Sequence, residues 1–471
     1  MASTSGVLGA EAGGVVSTAS TVSTVSTTST ASTTIVSWNV NGLRSVVSEK
    51  KMGSLAAMVE SLSSPDIIGL QETKLSMKTL AAMGTRVPPS YEGFHAISTG
   101  KAGYSGVCLF AKHGLVRQGF DSLAAAVKAW TPSGVLEEPM DPQPMMGGEW
   151  EEEEPLATEG KVWTLREWVD MWSASIDIEG RAVFVSVRGS DGSSVYVANG
   201  YFPNVGNGGD RVHIREAYNA LVAALTSAWS ALPGVHVVWM GDFNVAHRDL
   251  DVYNPETARK KQRPGCTDAE RAWMDTYVGS DPGVVDPSAN PAPARDSYRI
   301  LHPDAKGAYT WWSTVHNGRP HNRGWRLDYI ALSQALLPAL ERAEIMDHVH
   351  GSDHCPVSVG LAFPLAPRVE GIDHAPVQLP PVSVLRSHST ASFADVLDPN
   401  QPTIRSMFMS KHNKRGGGPS PSNPSNPSNP SNPPNPPKRM KVLDGAASPS
   451  ASAPTGSAST GSTSATCTPD P

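Results

Sequence analysis

Residues 235–247 read VHVVWMGDFNVAH. Val235–Met240 is a short apolar run rich in β-branched and aromatic side chains, which reads as a strand. It delivers Gly241-Asp242-Phe243-Asn244, so an acid and an amide two positions apart project to one side if the chain stays extended. The same grammar recurs along the chain. Ile35, Val36 and Trp38 precede Asn39-Val40-Asn41-Gly42, and Pro65–Leu70 precede Gln71-Glu72-Thr73. Ser194–Ala198 run into Asn199-Gly200-Tyr201, while Val107–Phe110, Arg326–Leu332 and Val357–Leu361 supply further strands. Lys51–Leu62 and Val212–Trp229 read as helices. Strands that keep ending in acids and amides, with helices between them, predict an α/β fold whose catalytic rim is built from strand ends.

The 471 residues are unevenly composed. Residues 1–33 are a Ser/Thr-rich leader, including STASTVSTVSTTSTASTT, with too little apolar surface to offset the entropy of ordering. Its lack of basic residues argues against a secretory signal, and its scarcity of acids leaves a plastid or mitochondrial transit segment as the alternative. Residues 121–165 read as an inserted surface loop carrying Glu149-Trp150-Glu151-Glu152-Glu153-Glu154, followed by a short helix over Leu165–Met171. The stretch 281–296 reads as another loop, and PSNPSNPSNPSNPP marks a disordered tail over 366–471. No apolar run is long enough to span a membrane. Four cysteines without close pairing exclude a disulfide scaffold or a zinc finger. The net charge of −7 does not fit bulk coating of nucleic acid, although residues 381–471 carry eight bases against four acids.

Chemistry converges on SWNVNGLR, LQETK, NGYFPN, GDFNVAH, GWRLDYI and GSDHCPV. Asn39, Glu72 and Asp353 offer the hard oxygens that Mg²⁺ prefers. Asp242 and Asn244 suit the activation of water and the orientation of a phosphate. His354 would face the phosphate, with Asp328 fixing its tautomer. Such a set suits phosphodiester hydrolysis, in which charge on nonbridging oxygens is neutralised and water is aligned with the leaving oxygen. Singly, each of these residues is more simply a cap, an ion pair or a structural group. It is the ordered set that points to catalysis.

WNVNGLR, LQETK, YSG, EGR, GDFN, GWRLDY and GSDHCP together resemble the exonuclease III family of AP endonucleases, within the endonuclease/exonuclease/phosphatase superfamily, over residues 34–365. The resemblance implies a four-layer α/β sandwich, with two mixed β-sheets face to face and helices outside. It implies a metal environment of Asn39, Asn41, Glu72, Asp242, Asn244, Asp353 and His354, occupied by Mg²⁺ with Mn²⁺ as the alternative. It implies that Tyr201 serves the phosphate or leaving group, Asn244 the attacked group, and Asp328 the histidine. The general base stays open between Asp242 and His354, with Asp242 favoured. Lys74, Tyr104, Arg181, Asn204 and Arg211 would contact DNA, and Trp311 and Trp325 would line a pocket for a flipped, base-free sugar, with Trp312 left to core packing. Asn207 stands where the family often has an arginine directed at DNA.

Gln401, Ile404, Met407 and Phe408, within QPTIRSMF at 401–408, resemble a sliding-clamp-binding peptide. Its place after the nuclease region resembles the second eukaryotic type of AP endonuclease, but the tail holds only Cys467 and so lacks that type's GRF zinc finger. Lys438-Arg439-Met440-Lys441 suits nuclear import. The resemblance implies a monomeric DNA-repair nuclease that cuts 5′ to abasic sites and trims damaged 3′ ends by 3′–5′ exonuclease and 3′-phosphodiesterase activity. The competing readings are a superfamily phosphatase or lipid phosphodiesterase, and a noncatalytic clamp-bound scaffold.

Overall fold

In the computed structural model, which describes residues 32–83, 87–140, 163–205, 211–280 and 292–369, the strands pair into two mixed sheets. The first holds β1 (Thr33–Asn39), β2 (Ile67–Gln71), β3 (Tyr91–Ala96), β4 (Val107–Lys112), β15 (Leu340–Ile345) and β16 (Val357–Leu361), in the order β15-β16-β1-β2-β4-β3. The second holds β5 (Val116–Phe120), β8 (Ala182–Gly189), β9 (Ser194–Tyr201), β10 (Val235–Asp242), β11 (Arg295–Asp296), β14 (Asp328–Leu332) and β17 (Leu365–Ala366). Its order is β11-β14-β10-β9-β8-β17, with β5 also on β8. Two ribbons, β6 (Pro139–Met140) with β7 (Trp163–Thr164) and β12 (Trp311–Trp312) with β13 (Gly324–Trp325), complete the strands.

Alternation along the strands explains the layering. Ile35 and Ile67 belong to the layer between the sheets, with Val185, Val197, Val238 and Ile330. Their chain neighbours Val36, Trp38, Ile68 and Leu70 lie on the opposite face, packed with Leu43, Val46, Met58 and Val59. On the far side of the second sheet, Phe184, Ala198 and Trp239 pack with Trp168, Trp172, Leu221 and Leu225 of the helices Leu165–Ile178 and Val212–Ser230. Helix, sheet, sheet and helix give the four-layer sandwich that the motifs implied.

Register then assembles the rim. Parallel pairing of β1 and β2 sets Asn39 beside Gln71, one residue before Glu72. Parallel β9–β10 and antiparallel β10–β14 set Tyr201, Asp242 and Asp328 abreast. Gly241 has φ +150°, and a Cβ there would lie 1.9 Å from the Gly200 carbonyl oxygen, so the residue before Asp242 must be glycine.

Several boundaries differ from the sequence reading. Residues 121–136 are not a surface loop. They form the helices Leu123–Trp130 and Ser133–Leu136, and Leu123, Ala126, Val127 and Trp130 are buried. Their spacing is one helical stripe, which the surrounding prolines and acids obscured. Ser122 accepts from the Ala125 N–H at 3.0 Å, and the Asp177 carboxylate accepts from the Leu123 N–H at 2.6 Å, which fixes the start of the first of these helices. The next helix runs through Ile178 instead of stopping at Met171, opened by a Thr164–Glu167 capping box. The helix expected over 51–62 shrinks to Leu55–Ser61 behind the Ser54 cap. The strand expected from Arg326 begins at Asp328. Most of the leader, the acidic patch 149–154, Asn207 and the tail with Gln401, Ile404, Met407 and Phe408 lie outside the described residues.

Candidate active site

Glu72 stands just beyond β2 with φ 49°, and Lys74 follows with φ 52°. Each left-handed side-chain-bearing residue costs about 1–3 kcal/mol, so the turn must be held from outside. It is: Gly42 N–H donates to the Glu72 carbonyl at 2.7 Å, and the Thr73 and Lys74 N–H groups donate to the Gly106 and Ser105 carbonyls at 2.9 Å. Beneath this turn the sheets are tied by amides. Gln71 Nε2 donates to Asn199 Oδ1 at 2.5 Å, and Asn199 Nδ2 donates to the Cys108 carbonyl at 2.8 Å.

Asn39, at the end of β1, donates through Nδ2 to Glu72 Oε1 at 3.0 Å and to Asp242 Oδ2 at 2.8 Å. Its Oδ1 accepts the Asn41 N–H at 2.9 Å. Asn39 therefore turns its N–H₂ toward the two carboxylates, while its oxygen accepts the Asn41 N–H with one of its two lone pairs. Asp242 Oδ1 accepts the Asn244 N–H at 2.8 Å, and Asn244 Nδ2 donates to the Phe202 carbonyl at 2.9 Å. The turn holds the Asn244 backbone at φ 52°, and the bond to Phe202 ties its side-chain amide.

His354 Nδ1 is 2.8 Å from Asp328 Oδ2, and its Nε2 faces Asp242 Oδ2 at 3.9 Å. Burial opposes the charged imidazole, but the Asp328 carboxylate and then Asp242 outweigh it and hold His354 well above its usual range. Asp242 is itself raised, first by burial and then by the Asp328 charge. Glu72, by contrast, is held below its usual value: burial pushes it up, while Asn39 and the Lys74 ammonium more than compensate. One ligand atom each from Glu72, Asp242 and His354 lies within 4.8 Å of the others. Tyr201 reaches the same point, hydrogen-bonded to Glu72, and burial with the Glu72 and Asp242 charges keeps its phenol protonated.

Asp353 stands apart from that trio. Its Oδ1 accepts from Asn41 Nδ2 at 2.8 Å, and its Oδ2 accepts from Trp311 Nε1 at 3.3 Å. It links Asn41 to the aromatic wall. Trp311 and Trp325 pair across β12–β13 with ring centroids 6.1 Å apart and planes at 72°, both half-buried. Trp312 is buried under Arg319, as packing requires.

The expected DNA contacts divide. Lys74, Tyr104 and Arg211 retain accessible surface, and Asn204 is exposed at the turn after β9. Arg181 is only 1% exposed, so its guanidinium cannot meet a phosphate directly here. It bonds Glu179 at 2.5 Å, the Tyr201 carbonyl at 3.0 Å and Tyr104 Oη at 2.9 Å, which makes it a brace behind both tyrosines. Glu179 also takes Arg211 at 2.7 Å. Sequence reading named EGR but overlooked its glutamate. It also missed Thr310, whose Oγ1 accepts both the Leu327 and Asp328 N–H groups, and Asp251, buried between Arg299 and Arg326. Asp251 lies in HRDLD, directly beyond GDFNVA, but an acid followed by no nearby arginine carries no sequence signal.

Two facing mixed sheets with carboxylates, amides and a histidine at one rim define a class, and residues 36–354 match the Endonuclease/Exonuclease/phosphatase family, to which the chain belongs. It is 32% identical to the DNA repair nuclease APEX1 of Danio rerio over 70% of this chain and 82% of that protein. It is 31% identical to the exodeoxyribonuclease of Bacillus subtilis, over 69% of this chain and 98% of that protein. The crystal structure of the Xenopus laevis APE2 catalytic domain superposes with TM-score 0.52 and 27% identity, over 73% of this chain and 95% of that one. These relatives lie in the exonuclease III-like AP endonuclease branch.

Proposed function

We propose that the chain is a DNA-repair nuclease that hydrolyses the phosphodiester 5′ to an abasic site and, at the same centre, removes nucleotides or blocking groups from 3′ ends. The convergence of Glu72, Asp242 and His354 within 4.8 Å, drawn from both sheets, carries this reading. The donor set fits Mg²⁺, with Mn²⁺ as a substitute: carboxylate oxygens of Glu72 and Asp242, with Asn41 and Asp353 at the rim, are hard ligands. When bound, the cation supplies positive charge to the nonbridging and leaving oxygens of the phosphate.

The side chains account for the rest. Asp242 accepts a proton from the attacking water as its oxygen bonds to phosphorus. The imidazolium of His354 and the phenol of Tyr201 donate hydrogen bonds to the phosphate, where negative charge develops. Asn39 and Asn244 hold the carboxylate and the attacked group in place. The bond from phosphorus to the 3′-oxygen breaks, that oxygen takes up a proton, and the products are a 3′-hydroxyl and a 5′-deoxyribose phosphate. Trp311 and Trp325 would receive the sugar that lacks a base, since such a nucleotide costs least to unstack. Tyr104, Asn204 and Arg211 would position the backbone without reading bases.

A direct test compares one abasic duplex with one recessed 3′ end, each with Mg²⁺ and with chelator. Metal-dependent cleavage of either is expected, and folded protein that cuts neither would refute the nuclease reading. The clamp-binding peptide at 401–408 and the basic cluster 438–441 extend the proposal to a monomer that works in the nucleus on a sliding clamp. No described helix is long and apolar enough to cross a membrane.

A further inference from the structure

Lys74 was expected to hold a DNA phosphate, but its ammonium occupies different ground. Lys74 Nζ lies 2.9 Å from Glu72 Oε2 and also donates to Asn41 Oδ1. Asn41 in turn is bonded to Asp353. The cation of this side chain therefore rests on the same oxygens that were named above for a divalent ion.

The backbone is shaped for this overlap. Both Glu72 and Lys74 take left-handed φ values, and the turn is braced by backbone bonds to Gly42, Ser105 and Gly106. The Lys74 side chain is 35% exposed, against 19% for Glu72. The result is a fixed carboxylate beside an ammonium on a long unbranched stem that can swing away. Partly exposed ion pairs of this kind are weak enough to exchange.

We propose that Lys74 is the resident counter-ion of the metal site: its ammonium and a divalent cation compete for Glu72 and Asn41, so Lys74 sets how tightly the cation is held. Both need the same lone pairs, and two positive charges a few ångströms apart repel. Removing the ammonium should tighten cation binding, the reverse of what is expected if Lys74 merely supports the site. Keeping the charge while changing its shape should preserve the competition. The inference rests on the metal-dependent reading of the site.

The test needs no DNA. The full chain, K74M and K74R are titrated with Mn²⁺ by electron paramagnetic resonance and with Mg²⁺ by calorimetry, with K74Q as a second uncharged variant. K74M and K74Q should bind cation about tenfold more tightly, or about 1.4 kcal/mol, with K74R close to wild type. In chelator the uncharged variants should melt below wild type, and saturating Mg²⁺ should close the gap. Unchanged or weaker binding by K74M and K74Q, or equal tightening in K74R, would overturn the competition. A wild-type chain that binds no cation would bring down the metal reading itself, so the two failures are distinguishable.

Discussion

His354 and Asp242 share one centre yet are prepared for opposite tasks. Asp328 and then Asp242 raise the pKa of the buried imidazole, which suits the role proposed for it as a cationic hydrogen-bond donor to the phosphate. A protonated imidazole cannot take a proton from water, which favours the proposed role of Asp242 as the base. E72A and D242A should each lower single-turnover cleavage of an abasic duplex by about 10²–10⁴-fold, with far-ultraviolet circular dichroism unchanged. D328N, which removes the charge that orients His354, should fall in the same range; near-wild-type rates in all three would show that these roles are misassigned. Residue types were readable here because few combinations of acid, amide and histidine serve phosphate chemistry. Orientation was not: whether Asn39 shows its oxygen or its N–H₂ depends on the Asn41 N–H two residues on. Arg181 became a brace because the chain buries it between two tyrosines.

At the scale of elements, buried charge holds the segment that carries Trp325 and Asp328. Asp251 is fully buried and accepts from Arg299 at 2.5 Å and Arg326 at 2.7 Å, while Arg326 also reaches Asp296 at 2.7 Å. Burial alone would raise the Asp251 carboxyl, but Arg326 and Arg299 overcome it and hold it well below 3.8. A depressed carboxyl contributes its stability above the unfolded value and loses it as pH falls below that value. D251N should therefore cost about 3–5 kcal/mol near neutral pH by leaving buried arginines unpaired, and its stability should fall less steeply than wild type on acidification below about 4; parallel urea and pH titrations would show it. A second expectation concerns the strand end at Tyr201. E179Q removes the charge that gathers Arg181 and Arg211, and the loosened brace should lower kcat/KM about ten- to a hundredfold with little change in melting temperature. Cleavage at wild-type rate would show that the Glu179 charge does not serve the strand end at Tyr201. None of these ion clusters was foreseen, because 251, 296, 299 and 326 meet only after the chain folds.

For the whole molecule, the catalytic region and the clamp peptide should be separable. Changing Ile404 and Phe408 to Ala should weaken binding to a purified sliding clamp in calorimetry and leave unstimulated cleavage within about twofold, since the peptide's apolar plug would act on a partner and not on the centre. Equal clamp affinity would reject the peptide. The insertion illustrates the same separation between pattern and placement. Leu123, Ala126, Val127 and Trp130 form a helical stripe where the sequence reads as a loop, and their packing against Trp229 and Phe184 shows what that stripe covers.

Strand-forming runs, their polar ends and the order of the motifs are local properties, written in side-chain type and period, so they determine the α/β class and the kind of chemistry before any fold is known. Pairing register, the meeting of Glu72 with Asp242 and His354 across two sheets, and the partners of every buried arginine are not local. Residues separated by 203 positions, such as Asn39 and Asp242, become neighbours only through packing that no short stretch encodes. Tertiary structure alone decided which of the expected ligands face the centre, since a side chain's direction follows from the hydrogen bonds and neighbours that claim its other atoms.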